Sequence, residues 1–233
     1  ILGGRRFGES GLILDVLTAT KGRRSGLIYG GASRKKRAQY EPGNAIELSW
    51  SGRLEEQLGR FTVAEVVNGR AGRYLDRPEA LAAINTVSAL LRGSGDEGHA
   101  AGSALYGPTM LLLDALETCP VWPALYARWE LGLLSALGFG LDLDQCALSG
   151  ENDGLTHVSP KTGRAVRGSE AEGYVDRLFP LPAFLIDPRA LAMAEDIEAA
   201  LRLTGYFLEE RLFSAVHKPI PEVRARLVPK LIG

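Results

Sequence analysis

The chain lacks most of what a catalyst, a disulfide-stapled fold or a membrane span would need. Its 233 residues include two cysteines, Cys119 and Cys146, with no paired spacing. That excludes a disulfide framework and leaves a structural zinc site short of ligands, as expected of a protein kept in a reducing cytoplasm. There are three histidines, His99, His157 and His217, and none stands beside a Gly-x-Ser-x-Gly elbow or a partner cysteine. Gly3-Gly4 and Gly30-Gly31 complete neither a GxGxxG fingerprint nor a Walker A loop. Asp142 and Asp144 have the spacing of strand or capping residues rather than of paired catalytic carboxylates. No apolar run approaches the roughly 20 residues that cross a bilayer. No enzyme, no metal and no cofactor are therefore expected.

What is present is an uneven distribution of charge. The whole chain sums to −1, yet residues 1–40 hold nine Lys or Arg against Glu9 and Asp15, a net +7. Residues 1–70 carry 12 basic and 7 acidic side chains, and the remainder carries 15 and 21. The basic residues are interleaved with short apolar runs, which predicts a folded β module with a basic face rather than a tail. The run Arg34-Lys35-Lys36-Arg37 lies between two strand candidates, and Lys21, Arg23 and Arg24 mark the preceding turn. Adjacent cations repel one another, so a polyanion is their natural partner, with salt-sensitive affinity. Tyr29 and Tyr40 flank the run and have the chemistry to stack on bases. Tyr29 is expected to be a packed strand aromatic, and Tyr40 is open.

Hydrophobic periodicity divides the chain. Strands are predicted around Ile1-Leu2, over Gly11–Thr18, Ser25–Gly31 and Asn44–Ser51, and over Leu58–Val67. Five short strands at regular spacing are the signature of a small barrel or sandwich. Ile1-Leu2 reads as the middle of a strand, so a short preceding piece is expected. After Asn68-Gly69 the period becomes helical. Helices are predicted over Arg77–Leu91, over Ala104–Glu117 with a kink or later start at Gly107-Pro108, and over Pro123–Leu137. A long helix is predicted over Asp187–Phe213, with a short one over Glu222–Leu231. Residues 142–182, rich in Gly, Ser, Asp and Pro, are too long for a plain loop and should hold irregular structure or short strands. In the third helix Arg128 interrupts an apolar face of Leu125, Trp129, Leu133 and Leu137.

Several segments together resemble the RecO family of bacterial recombination mediators. They are Phe7-Gly8-Glu9-Ser10 leading into Leu14–Thr18, Lys21-Gly22-Arg23, Gly30–Arg34, Pro42-Gly43, and Leu137-Gly138-Phe139-Gly140-Leu141-Asp142-Leu143 before Cys146 and Ser159–Val166. The resemblance implies an α+β multidomain protein, with an N-terminal OB-fold barrel (1–72) followed by a helical domain (73–233) with an irregular, zinc-ribbon-like but metal-free lobe at about 142–182. It also implies a cytoplasmic, nucleoid-associated DNA repair and recombination mediator. Such a protein binds single- and double-stranded DNA, anneals strands, and works with RecR to load RecA onto DNA coated with single-stranded-DNA-binding protein. The nucleic-acid contacts would be Lys21, Arg23, Arg24, Arg34, Lys35, Lys36 and Arg37. Arg128, with Trp129, would dock the acidic C-terminal tail of the coating protein. Some members carry four zinc cysteines in the lobe. Here Cys146 stands alone, Ser149 holds the second position, and Arg167 and Glu170 fall near the others. The rival readings are an RNA- or ribosome-associated OB protein, and a catalyst using Asp142, Asp144 and His157.

Overall fold

Alternation along Gly11–Thr18 sends Leu14 and Val16 to one face of a strand, and the N-terminal core is built on that face. The computed structural model describes residues 1–53, 58–95 and 99–232. Strands β1 (Gly3–Phe7), β2 (Gly11–Thr18), β3 (Gly22–Ile28), β4 (Ala45–Ser51) and β5 (Gly59–Asn68) form one sheet in the order β1-β2-β3-β5-β4. All neighbours are antiparallel except β3 and β5. The sheet curls around Leu14, Val16, Ile28, Tyr40 and Phe61, with Ile46, Leu48, Trp50 and Val63 packed against them. Register shifts between β4 and β5 at Ala45/Ile46 and Glu47/Leu48 add to the curl. The Gly43 N–H donates to the Ile1 carbonyl at 3.0 Å, and the Ile1 nitrogen donates to the Asn44 carbonyl at 2.8 Å. These bonds draw the two sheet edges together, which is the partly open five-stranded barrel of an OB fold.

Two sequence expectations shift here. The first strand starts at Gly3, and Arg23 and Arg24 lie inside β3 rather than in the turn before it. The turn itself is held by Thr18, whose hydroxyl donates to the Gly22 carbonyl and accepts from the Lys21 N–H.

Helix α1 (Arg70–Arg73) is joined to the barrel by Asn44, whose amide donates to the Ala38 carbonyl and accepts from the Ala71 N–H. Helix α2 (Pro78–Gly93) opens on its proline and buries Ile84, Val87 and Leu91 at the expected spacing. Helix α3 (His99–Thr118) starts earlier than predicted and runs through Pro108. Its Gly102 meets Gly22 so closely that a Cβ there would lie 2.3 Å from the Gly22 Cα. Residues Ile1–Leu113 and Pro221–Leu227 make one compact unit, so the sheet shares it with α2 and the first part of α3.

The second unit holds Asp114–Ile220 and the end of α6 (Glu222–Ile232). Its core joins α4 (Trp122–Ala136) to α5 (Ala194–Phe207), which continues as a π-helical stretch, Leu208–Phe213. The Gly-rich region contains four short strands: β6 (Asp142–Cys146), β7 (Leu155–Val158), β8 (Arg164–Arg167) and β9 (Phe179–Pro180), in the order β6-β8-β7-β9. The long helix predicted from Asp187 does not begin there. The Asp187 carboxylate accepts the Arg189 N–H at 2.9 Å, closing a local turn, and the helix starts seven residues later.

Candidate nucleic-acid interface

The strand order splits the predicted basic residues into two groups. Lys21, Arg23 and Arg24 belong to the β2–β3 end of the barrel, and Arg34–Arg37 follow the other end of β3. Strand β3 is seven residues long, so about 20 Å separates its ends. The two groups are therefore not one patch.

Arg23 caps a helix. Its guanidinium donates to the Arg92 carbonyl at 2.9 Å and to the Gly95 carbonyl, the last acceptors of α2 and its exit. A cation there also complements the negative end of the helix dipole. Arg24 is half-buried opposite Val16, and Lys21 is exposed in the turn.

Arg34, Lys35, Lys36 and Arg37 are all exposed. Arg37 begins a 3-10 turn, Arg37–Tyr40, that folds the Tyr40 ring into the barrel core. The Ala32 N–H donates to the Ser10 carbonyl at 3.1 Å, so the basic loop is tied to the β1–β2 turn. A groove of about 450 Å³ opens here, lined by Gly4, Arg6, Gly31, Arg37, Glu41 and Arg92. Three guanidinium groups face one carboxylate, and glycines on the wall let a ligand approach the backbone. Arg37 lies 3.8 Å from Glu41 with both side chains exposed, a pairing that competes weakly with a phosphate. Arg92 also sits 3.9 Å from Asp15. This arrangement suits a polyanion contacted through its phosphates.

The two tyrosines take opposite places. Tyr29 is 63 % exposed, with the Arg60 guanidinium 4.9 Å from its ring centroid, and Tyr40 is 6 % exposed in the core. The expectation that Tyr29 packs inside is corrected: β3 ends at Ile28, and Tyr29 falls on the outward parity of the strand.

In the second unit a groove of about 480 Å³ is lined by Arg128, Leu131, Leu143, Asp144, Leu185 and Ile186. Arg128 is held at its wall by donating from Nε to the Phe184 carbonyl at 2.8 Å and from a terminal nitrogen to the Asp187 carbonyl at 3.1 Å. Trp129 points the other way. It is 4 % exposed and stacked on Tyr126, so it serves the core of α4.

A family model described as Recombination protein O N terminal matches residues 1–70, and one described as Recombination protein O C terminal matches residues 75–219. The chain belongs to the RecO family. It is 70 % identical over 231 residues to a DNA repair protein RecO of Hyphomonas neptunium, covering 99 % of this chain and 95 % of that one. It is 46 % identical over 230 residues to a DNA repair protein RecO of Ruegeria sp., with 97 % and 93 % covered. A DNA repair protein RecO of Rhodospirillum rubrum is 42 % identical over 237 residues, with 99 % and 93 % covered. DNA repair and recombination are thus this RecO family member's field of action.

The zinc ligands that some RecO proteins carry have no equivalent set here. Cys146 is buried, and its sulfur accepts the Leu148 N–H at 3.5 Å and the Arg167 N–H at 3.4 Å. Burial raises the thiol's pKa. Hydrogen bonds from Ser149, Arg167 and Leu148 outweigh it and lower the pKa from 9.0 to about 7. The Arg167 side chain pairs with Asp153 at 2.8 Å, and Arg164 pairs with Asp142 at 3.0 Å. Among the described residues no three His, Cys, Asp or Glu side chains converge for a metal. The donor set does not fit zinc. Nor, among the described residues, is any helix long and apolar enough to cross a membrane.

Sequence reasoning missed Arg6 and Arg92 as members of the basic groove. Arg6 was counted in the charge excess, but its approach to Arg37 depends on which strands pair. Arg92 carried no signal, being one cation at a helix end.

Proposed function

We propose that this RecO family member is a non-enzymatic mediator that holds DNA on its barrel and protein on its helical unit. The observation that carries the reading is the basic loop Arg34–Arg37, wholly exposed at the mouth of the groove that holds Arg6, Arg37 and Arg92. Guanidinium groups on a glycine-walled groove bind single- and double-stranded DNA through phosphates, largely without sequence preference. Lys21 and Arg24, at the far end of β3, extend the path of the backbone. Arg23 stays with α2.

The groove beside Arg128 takes the acidic C-terminal tail of single-stranded-DNA-binding protein. Apolar walls from Leu131, Leu143, Leu185 and Ile186 suit the tail's hydrophobic end, and Arg128 suits its carboxylates. Asp144 at the rim opposes the tail's charge and favours a weak, reversible grip. Two weak sites in one chain raise the effective concentration at coated strands. In that setting the protein anneals strands and, with RecR, helps load RecA, acting in the cytoplasm at the nucleoid.

The test is fluorescence anisotropy of labelled single-stranded DNA at two salt concentrations, bare and then precoated with single-stranded-DNA-binding protein. Salt-sensitive binding to both, with the coated form depending on the acidic tail, is the expected result. No binding to bare DNA at low salt overturns the reading.

A further inference from the structure

Strand register places a second feature beside the basic groove, on the other face of the sheet. Arg5 pairs with Ile13, Ile13 with Leu27, and Leu27 with Arg60, so these four lie in one row across β1, β2, β3 and β5. Phe7 pairs with Gly11, and Tyr29 follows two residues after Leu27. Residues at i and i+2 share a face. Arg5, Phe7, Tyr29 and Arg60 therefore stand together on the face opposite Leu14, Ile28 and Phe61, which fill the barrel.

Phe7 is 51 % exposed and Tyr29 63 % exposed, so two aromatic rings face solvent at one end of a small sheet. Gly11 lies between their strands and offers no side chain to separate them. Two strand spacings put the rings about 10 Å apart. Arg60 covers one face of Tyr29, which assigns the ring's exposure to the opposite face and its edges. A cation held on one face of an aromatic ring fixes the ring's orientation and adds positive charge beside it.

We infer that Phe7 and Tyr29, braced by Arg60 and flanked by Arg5, form a stacking platform for the unpaired bases of a single strand. The inference rests on the DNA-binding reading above and gives that site its preference. The guanidinium-lined groove takes phosphates of either kind of DNA, whereas only a strand whose bases are free can lay them on the rings. Charge decides the occupant: an exposed aromatic pair bordered by Arg5 and Arg60 suits a strand whose neutral bases stack on the rings while its phosphates meet the cations, and a neutral apolar peptide gains nothing from those cations.

The experiment uses the full chain and a fluorescein-labelled oligothymidylate, with a duplex of equal length as comparison. Y29A is expected to weaken single-strand binding about tenfold, and F7A by a similar factor, the usual loss for one stacked base. Duplex affinity should stay within about twofold and the salt dependence should not change, since every phosphate-binding cation is kept. Y29F should keep wild-type affinity, and a strand carrying 2-aminopurine should lose its binding-induced quenching with Y29A. Equal losses for single strand and duplex, or no loss for either, overturn the platform while the DNA-binding reading stands. A wild-type protein that binds neither DNA overturns both.

Discussion

Thr204 donates its hydroxyl to Glu130 at 2.6 Å, joining α5 to α4 across 74 residues of sequence. Tyr126 donates to the other carboxylate oxygen at 2.6 Å, and Glu130 itself is fully buried. A buried carboxylate is tolerated only when its oxygens are hydrogen-bonded. Glu130 is thus the anchor that fixes the rotation of α4, and two residues before it Arg128 emerges at the groove wall. Thr204→Val keeps the shape of the side chain and removes the donor. It should cost about 2 kcal/mol, the scale of leaving a buried acceptor without its donor, read as a lower urea midpoint with unchanged slope. A loss under about 0.5 kcal/mol would mean that Glu130 does not anchor α4 through this bond.

Charge reversal at Arg34, Lys35, Lys36 and Arg37 should abolish DNA binding while the thermal midpoint stays near wild type, because all four side chains are exposed. Single neutral replacements should each flatten the dependence of log affinity on log salt by roughly 0.7–0.9 for every phosphate left without its cation. Unchanged affinity at low salt in the reversed variant would assign the loop to solubility alone.

Arg23 should behave in the opposite way. Its guanidinium satisfies the carbonyls of Arg92 and Gly95 at the end of α2, so Arg23→Ala should destabilise by about 1–2 kcal/mol. DNA affinity measured well below the melting temperature should fall far less than in Arg34→Ala. A variant as stable as wild type but defective in DNA binding would return Arg23 to the interface.

Sequence and structure agree where one periodic pattern meets one core. Ile46, Leu48 and Trp50 alternate in sequence and all pack against the barrel, and Ile84, Val87 and Leu91 do the same for α2. Agreement fails where a chain end or a turn decides the outcome. Tyr29 continues the outward parity of β3, but which parity faces the core depends on how β3 pairs, and Tyr40 is carried inward by a 3-10 turn that strand period does not describe. Arg23 and Arg24 disguised the start of β3, because two cations in a row read as a turn. Asp187-Pro188 looked like a cap and a first helical proline, yet Leu191 is 86 % exposed and Met193 65 % exposed, outside any packed helix. The strands of the Gly-rich region run two to five residues, too few to show a period. The candidate site was half legible: cations were visible as charge, and their grouping required the order β1-β2-β3-β5-β4.

Gly102 tests the crossing of α3 over the β2–β3 turn. A methyl group at this position would lie 2.3 Å from the Gly22 Cα and 3.0 Å from the Arg23 nitrogen, both backbone atoms with little freedom to yield. Gly102→Ala would gain helix propensity of about 1 kcal/mol in an unobstructed helix. Here overpacking should outweigh it, for a net loss of about 1–3 kcal/mol. Gly132 in α4, where a methyl group would meet no such neighbour within 4 Å, serves as the control: Gly132→Ala should be neutral or stabilising in the same unfolding experiment. Equal effects at the two positions would show that α3 does not approach the turn this closely.

Cys146 gives the fold a dependence on alkaline pH. Its thiol has a pKa of about 7 in the folded chain against 9.0 ordinarily. The folded state therefore releases its proton before the unfolded state does. Between those values the unfolded chain binds more protons, so stability rises with pH. The contribution is fully present above pH 9 and is lost as pH falls through 7. Cys146→Ala removes the titration, and other groups cancel when wild type and variant are compared at each pH. The stability difference measured by urea unfolding should be larger at about pH 9 than at about pH 6.5, and iodoacetamide should modify Cys146 slowly, because the side chain is 1 % exposed. A difference that does not change with pH would mean that the N–H groups of Leu148 and Arg167 do not hold a thiolate, and that Cys146 contributes to the lobe only by filling space.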